Sequence, residues 1–334
     1  MITLIDVFAA RTRISPFVRR TPLAESAWLS DVAGARVSLK LESLQRSGSF
    51  KLRGAFNAVI ARLERGDLTP RSTVVTASAG NHGRALAAAA EAFLLPLVVF
   101  TPADAPQTKL SAIRRHGADL RASGRDYDHA EMLAKAYARE AGAAFISPYS
   151  DADVIAGAAT IGLEILEDAP DTDVLVVPIG GGGLISGVAS AVKAVEDTKR
   201  VIGVELDVSH VFQTSVRLGK LVEIVAGPSI AEGLGGNADP DTITFAMIQR
   251  GVDGIVTVSD DEIRTAVVGL VESEHLVVET SGGAGVAALI GKRVDDLRDR
   301  RVAVVVTGSN IDRSRLTALL SAPAAAAAAR AADV

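Results

Sequence analysis

Short runs of β-branched and other apolar residues alternate along this chain with stretches of helical length. Because the apolar character of each run is continuous, each is predicted to be a strand buried on both faces. The predicted strands are Val37–Leu41, Val74–Thr76, Leu97–Phe100, Val174–Ile179, Val201–Val204, Ile255–Val258 and Val302–Val306. The main predicted helices are Arg84–Phe93, Asp128–Ala141, Gly183–Val195 and Asp260–Glu274. This alternation predicts an α/β fold with parallel sheets wrapped by helices.

The composition excludes several classes of protein. The chain has 334 residues and no cysteine, which removes disulfide scaffolds, thiol catalysis and cysteine-containing metal sites. Its formal charge of −5 argues against a nucleic-acid partner. No apolar run reaches the ~18 residues that a membrane span needs. The first residues include Asp6 and lack a basic start, so we expect a cytoplasmic protein.

A lysine follows the first predicted strand in a turn-like segment, Ser47-Gly-Ser-Phe-Lys51. A helical stretch begins near Leu52, so Lys51 is expected at a helix N-terminus. The helix dipole and partial burial both disfavour the ammonium form there. A neutral amine is what a Schiff-base lysine needs, although an ordinary surface lysine is the alternative.

Two further loops follow predicted strands and precede predicted helices. Ser78, Gly80, Asn81 and His82 gather donors at one helix N-terminus, which suits a carboxylate or another anion. The range 180–183 is four consecutive glycines, whose backbone N–H groups can turn toward one point and form a phosphate cradle. A cofactor that condenses with an amine, carries a phosphate and acts on amino acids explains all three segments, and pyridoxal 5′-phosphate is such a cofactor.

The glycine segment also admits a different interpretation. Gly181, Gly183 and Gly187 loosely imitate a dinucleotide fingerprint, and Glu205 ends the next strand where a ribose-binding acid would lie. A nicotinamide-dependent dehydrogenase therefore stays open at this point, as does a non-catalytic protein that binds pyridoxal phosphate. The dehydrogenase would leave Lys51 and the 78–82 loop without a role.

Four segments, in order along the chain, resemble the signatures of the threonine/serine dehydratases. These enzymes are the tryptophan-synthase-β-like group, or fold type II, of pyridoxal-phosphate enzymes. The matching segments are Ser-Gly-Ser-Phe-Lys51-Leu-Arg-Gly-Ala, Ser78-Ala-Gly-Asn-His82, Gly180-Gly-Gly-Gly-Leu184 and Thr307-Gly-Ser-Asn310. The resemblance implies β-elimination of water and ammonia from a β-hydroxy amino acid, most simply L-threonine or L-serine, to give a 2-oxo acid.

The resemblance also implies roles for individual residues. Lys51 would hold the cofactor covalently and move the Cα proton, and Thr307 would meet the pyridine nitrogen. The other cofactor-binding residues would be Phe50, Asn81, Gly180, Gly181, Gly182, Gly183 and Leu184. The substrate carboxylate would be bound by Ser78, Gly80, Asn81 and His82.

Two positions depart from related enzymes. Ala79 stands where the similar serine racemases carry a serine, and without a proton donor on that face of the cofactor a racemase is disfavoured. Glu205 and Ser209 lie where relatives place a divalent-metal site, but the third ligand is replaced by Val211. Glu205 is thus a possible metal ligand and no metal is assigned.

The expected architecture is two open, twisted, parallel-sheet α/β domains with the cofactor in the cleft between them. The larger would comprise 1–52 plus 149–320, the smaller 53–148, and 321–334 would be a low-complexity tail. The family implies a homodimer. Hydroxyectoine-derived and 3-hydroxyaspartate-like compounds remain alternative substrates for the same chemistry.

Overall fold

A computed structural model describes residues 2–321, and these form two separate β-sheets flanked by helices. The strands are β1 (Leu23–Ser26), β2 (Arg36–Leu41), β3 (Val74–Ala77), β4 (Leu97–Pro102), β5 (Asp119–Gly124), β6 (Ala144–Phe145), β7 (Val174–Pro178), β8 (Arg200–Leu206), β9 (Gly254–Val258) and β10 (Arg301–Val306). The larger sheet has the order β1-β2-β10-β7-β8-β9, and the smaller has the order β5-β4-β3-β6.

Helices connect the strands and cover the sheets. They are α1 (Leu4–Ile14), α2 (Ala27–Ala33), α3 (Lys51–Arg65), α4 (Asn81–Ala92), α5 (Gln107–Arg114), α6 (Tyr127–Ala141), α7 (Ala152–Asp168), α8 (Gly183–Val195), α9 (Val211–Leu218), α10 (Thr244–Gly251), α11 (Asp260–Glu274), α12 (Ala284–Ile290) and α13 (Arg313–Ser321). Three short 3-10 turns cover Glu42–Leu44, Glu232–Leu234 and Thr280–Gly283. Every predicted strand and every main predicted helix is confirmed, with ends shifted by a few residues. The burial predicted for Ile255–Val258 is wrong, because β9 is an edge strand of the larger sheet and only Val258 in it is buried.

The predicted parallel sheets are confirmed, and one strand at the edge of the larger sheet runs the other way. Among residues 2–321 β1 pairs antiparallel with β2, and every other pair of neighbouring strands is parallel. The connection over residues 27–35 is shorter than the crossover of about a dozen residues that parallel neighbours need, so the chain turns back instead. β1, β5 and β6 were absent from the prediction because none is a continuous apolar run.

Buried apolar side chains fill both faces of the central strands. β3 and β7 are buried at every position, as strands covered on both faces must be. The cluster around the smaller sheet includes residues of α3 and α4, such as Phe56 and Leu86. Within residues 2–321 no helix combines the length and apolar character that crossing a membrane requires. The predicted tail lies outside the described residues, apart from Ser321, which ends α13.

Candidate active site

The carboxyl ends of neighbouring strands bring distant segments of the chain together. β2 and β10 pair in parallel up to Leu41 and Val306, so the segments that follow them leave the same edge of the larger sheet. The amide of Phe50 donates to the carbonyl of Thr307 (3.1 Å), and the amide of Ser309 donates to the carbonyl of Gly48 (2.8 Å). The lysine turn is therefore fastened to the Thr307 segment by main-chain hydrogen bonds.

A cavity of about 560 Å³ opens at this edge, within the size range of small-molecule sites. It is lined by residues that follow strands of both sheets. Every residue predicted to bind cofactor or substrate lines it: Phe50, Lys51, Ser78, Gly80, Asn81, His82, Gly180, Gly181, Gly182, Gly183, Leu184 and Thr307. The structure thus brings the four predicted segments to one place, while the roles given to their residues stay predictions.

Lys51 is the first residue of α3, as predicted, and its amine faces the cavity. The Nζ atom donates to the carbonyl of Pro148 at 2.7 Å and lies 5.1 Å from the centre of the Phe50 ring. Removal from bulk water lowers the pKa of Lys51 to about 8, with the nearby Glu279 carboxylate acting in the opposite direction. A substantial fraction of the amine is therefore neutral at physiological pH.

The glycines at 180–183 form a concave loop in front of α8. Gly182 has φ +85°, a backbone conformation that favours glycine, and it precedes the first residue of the helix. A Cβ atom added to Gly181 would overlap the ring of Tyr149. The loop can therefore press against that ring only because it lacks side chains, and its amides and the helix N-terminus suit a phosphate.

The 78–82 loop also lies at a helix N-terminus, because α4 begins at Asn81. The Asn81 side chain is held on both sides: Nδ2 donates to Glu279 (2.6 Å) and Oδ1 accepts from Asn310 (2.7 Å). His82 is buried beside the main chain of Ile146. Burial, followed by the positive charge of Lys51, lowers the pKa of His82 to about 3, so the imidazole is neutral.

Sequence reasoning missed three residues of this cavity. Glu279 precedes the Thr280–Gly283 turn, and burial raises its pKa to about 7 despite the hydrogen bond from Asn81. Asn310 belongs to a recognised motif but had no assigned role, and its Nδ2 atom donates to the carbonyl of Ser47 (2.9 Å) as well as to Asn81. Tyr149 packs on the glycine loop. Glu279 could have been recognised from the sequence, because an acidic residue followed by a run of small residues is typical of a loop in a binding site. No sequence pattern marks Tyr149.

Glu205 does not line this cavity. Its carboxylate oxygens accept the backbone amides of Phe212 (2.9 Å) and Gln213 (2.7 Å), and burial raises its pKa to about 7. This position contradicts the ribose-binding role that the dehydrogenase interpretation requires. Among residues 2–321 no three side chains of His, Asp or Glu are placed to share a metal ion. A cation at Glu205 stays an untested prediction.

The described residues fit pyridoxal 5′-phosphate. The cavity is lined by the Lys51 amine, whose pKa is lowered, and by a glycine loop at a helix N-terminus that can hold a phosphate. Thr307, the residue that follows β10, also lines it. The 78–82 loop leaves donors for a carboxylate beside them. An amine, a phosphate site and a carboxylate site in one cavity match the three reactive parts of such a cofactor and an amino acid.

Comparison with known proteins gives the same assignment. The family model described as "Pyridoxal-phosphate dependent enzyme" matches residues 14–308. The chain is 40% identical to an L-threonine ammonia-lyase of Thermotoga maritima over 96% of this chain and 79% of that protein. It is similar to the solved structure of a threonine deaminase from T.th. (TM-score 0.85, 34% identity, covering 93% of this chain and 99% of that one). It is also similar to maize serine racemase (TM-score 0.87, 32% identity, covering 95% and 96%). The chain therefore belongs to the family of pyridoxal-phosphate dependent enzymes, among the relatives of the threonine ammonia-lyases.

Proposed function

We propose that this protein is a lyase that uses pyridoxal phosphate to dehydrate and deaminate a β-hydroxy amino acid, L-threonine or L-serine. One observation carries the proposal: a single cavity holds the Lys51 amine, the glycine loop at 180–183 and the 78–82 loop. The relatives named threonine ammonia-lyase and threonine deaminase, which align over most of this chain, support the same activity.

The cofactor would be held at three points. Lys51 would bind it covalently, the amides of the glycine loop would take its phosphate, and Thr307 would meet its ring nitrogen. When bound, pyridoxal phosphate supplies an electron sink for the electron pair left at Cα. Thr307 offers a hydroxyl, which forms a hydrogen bond but does not hold a positive charge as a carboxylate would. This favours prompt loss of a β-leaving group over a long-lived carbanion.

Lys51 is the general base in this proposal. Its lowered pKa leaves a neutral amine able to accept the Cα proton, and its bond to the Pro148 carbonyl orients Nζ. The 78–82 loop would hold the substrate carboxylate through donors at the start of α4. The neutral, buried ring of His82 supports that loop without adding charge.

The proposed reaction balances without an oxidant or reductant. The Cα–H and Cβ–O bonds of the substrate break, and the proton and hydroxide leave as water. The released enamine tautomerises to an imine, which takes up one water molecule and loses ammonia. The product is a 2-oxo acid.

Ammonia release from L-threonine and L-serine by the purified holoenzyme tests this function. We expect turnover of at least one of the two, accompanied by the absorption band of the lysine-bound cofactor. Lys51→Ala should lose that band and at least about 10²-fold of activity, whereas Lys220→Ala, at an exposed lysine, should retain both. A protein that binds the cofactor but releases no ammonia from either substrate would contradict the proposal.

Serine racemisation is the second candidate, because maize serine racemase shares the fold and 32% of the sequence. Ala79 lines the cavity and carries no exchangeable proton, so that position cannot protonate the second face of Cα. We predict that Ala79→Ser increases the rate of D-serine formation from L-serine at least about tenfold, while Ala88→Ser, elsewhere on α4, does not. Chiral chromatography of the products checks this, and a wild-type enzyme that racemises L-serine faster than it deaminates it would contradict our interpretation of Ala79.

We further propose that the chain forms a homodimer in the cytoplasm. The division into a larger domain (1–52 plus 149–320) and a smaller one (53–148) also remains a proposal. The arrangement of the smaller sheet supports that division, since all four of its strands lie between Val74 and Phe145.

A further inference from the structure

Arg84 lines the cavity and forms no ion pair with an acidic residue between 2 and 321. It lies in the first turn of α4, just beyond the 78–82 loop. Its Nη1 atom donates to Oδ1 of Asn310 at 2.6 Å, and no other hydrogen bond joins its guanidinium to a residue between 2 and 321. Over the same residues, no Asp or Glu oxygen comes within 4.0 Å of it. A partly buried guanidinium normally has such a partner, because burying an unpaired charge is costly.

The surroundings of Arg84 make this positive charge more costly. Burial lowers its pKa, and the positive charge of Arg115 lowers it further. Arg84 also sits near the N-terminus of α4, where the helix dipole contributes partial positive charge. An anion bound at the guanidinium would stabilise its positive charge and so offset the cost of all three effects.

The other cations at this end of the cavity already have acidic partners. Lys109 and Arg315 both pair with Glu232, at 2.8 Å and 2.9 Å. Asp128 also lines the cavity, but it is exposed at the start of α6. Its negative charge adds to burial in raising the pKa of Tyr149, which packs on the glycine loop. Asp128 forms no ion pair with Arg84, since no Asp or Glu oxygen among residues 2–321 lies within 4.0 Å of that guanidinium.

The geometry points to a second carboxylate on the substrate. We propose that Arg84 binds the distal carboxylate of a β-hydroxy dicarboxylic amino acid, and that the enzyme deaminates such substrates in addition to threonine or serine. The proposal rests on the function proposed above, in which the 78–82 loop takes the α-carboxylate. Asn310 holds Nη1, which leaves Nε and Nη2 as the paired donors that a carboxylate accepts.

The reaction is the same elimination on a substrate with an acidic side chain. For 3-hydroxy-L-aspartate the Cα–H and Cβ–O bonds break and water leaves. One water molecule then enters as ammonia departs, and a 2-oxo dicarboxylic acid remains. No further reactant is needed, so only recognition distinguishes this substrate from threonine.

Steady-state kinetics of the holoenzyme with L-threonine and 3-hydroxy-L-aspartate test the proposal. We expect wild-type turnover of both. Arg84→Gln keeps an amide donor for Asn310 but loses the charge, and it should lower kcat/KM for hydroxyaspartate by about tenfold to 100-fold, mainly through KM. For threonine, kcat/KM of Arg84→Gln should stay within about threefold of the wild-type kcat/KM, which is the range expected of an indirect effect.

Two further variants separate recognition from folding and from general electrostatics. Arg84→Lys keeps the positive charge but loses the paired N–H donors of the guanidinium, and should lose part of the activity on hydroxyaspartate. Arg115→Gln removes a neighbouring exposed charge that does not line the cavity, and should leave both substrates nearly unchanged. Calorimetric binding of L-aspartate, which lacks a β-hydroxyl group, should weaken in Arg84→Gln, while binding of L-alanine should not.

Three results would overturn the proposal. One is turnover of threonine without any turnover of hydroxyaspartate. Another is an equal loss on both substrates in Arg84→Gln, which would assign Arg84 to the α-carboxylate or to folding. The third is unchanged aspartate binding in that variant. Absence of turnover on threonine, serine and hydroxyaspartate alike would instead contradict the proposed function itself, and this proposal with it.

Discussion

Lys51 shows how one residue acquires a property that its type does not normally have. The sequence placed it at a helix N-terminus, and the structure agrees, but the larger cause of its lowered pKa is removal from water. Glu279, which favours the charged amine, reduces that effect and is far away in the sequence. The acid–base behaviour of Lys51 is therefore set mainly by the cavity around it.

The pH dependence of cofactor uptake follows from that pKa. A neutral amine condenses with an aldehyde and an ammonium group does not, so uptake by the cofactor-free protein should rise with pH and level off above about 8. Stopped-flow absorbance between pH 6 and 10 would measure it. A rate that keeps rising to about pH 10.4, the ordinary range of a lysine, would contradict the lowered pKa.

At the scale of elements, α3 is anchored by a buried network of charges. Arg53 donates to Glu42 through Nε (2.9 Å) and Nη2 (2.8 Å), and to Glu164 of α7 through Nη1 (2.6 Å). Lys40 of β2 donates to the same Glu164 at 2.6 Å. The side chains of Arg53, Glu42 and Lys40 are fully buried, and the network joins β2 and α7 to α3, the helix that begins at Lys51.

Breaking this network should be costly. Arg53→Ala leaves Glu42 and Glu164 buried with reduced compensation, and we expect the free energy of unfolding to fall by about 3–5 kcal/mol. Arg65→Ala on the same helix removes only exposed pairs with Asp67 and Asp153, and should cost less than about 1 kcal/mol. Urea unfolding of the two variants compares them, and equal losses would contradict a special role for Arg53.

The loop before α8 depends on the absence of side chains at its closest contact. Gly181→Ala would press a methyl group into the Tyr149 ring, a strain of about 1–3 kcal/mol, so affinity for pyridoxal phosphate should fall about tenfold or more. Gly254→Ala in β9 is the matched control, since its added Cβ would make only an ordinary contact of 3.5 Å. Equilibrium titration of the cofactor-free variants measures the affinity. Equal affinities for both variants would show that the Tyr149 contact is irrelevant to the cradle.

At the scale of the whole molecule, side chains near the cavity mouth join the helices of the smaller sheet to segments that follow the larger one. Lys109 of α5 pairs with Glu232 (2.8 Å), and Thr108 donates to Asp312 at 3.0 Å. Arg315 of α13 reaches the same Glu232 at 2.9 Å. These contacts hold the cleft in the arrangement that the structure describes.

Removing the shared carboxylate should loosen that arrangement. In Glu232→Gln both ion pairs are lost, and because each exposed pair contributes at most about 1 kcal/mol we expect KM for threonine to rise about two- to fivefold with little change in kcat. Steady-state kinetics at low and high salt would test this, because salt screens exposed ion pairs and should raise the wild-type KM toward that of the variant. Glu272→Gln, at an exposed position on α11, controls for the loss of one charge, and an equal rise in KM there would contradict the role of Glu232.

The strands that could be predicted are those with a continuous run of apolar residues, because such a run indicates a buried strand without knowledge of its neighbours. Val174–Pro178 is apolar at every position and could be recognised as a buried strand, whereas Asp119–Gly124 is largely exposed and could not. Ala144–Phe145 is too short to carry a pattern and becomes a strand only by pairing with β3. The antiparallel β1 likewise results from a short connection whose direction the residues themselves do not reveal.

By itself, the sequence determined the buried strands, the positions of the helix N-termini and the four segments that meet in the cavity, because each depends on residues close together in the chain. Only the tertiary structure decided what faces those segments. Asn81 meets Glu279, Asn310 meets Arg84, and Tyr149 covers Gly181. These contacts join residues from the carboxyl ends of strands in two sheets, so they exist only once the sheets are assembled. The same is true of burial, which sets the pKa of Lys51 and, together with the positive charge of Arg115, lowers the pKa of Arg84.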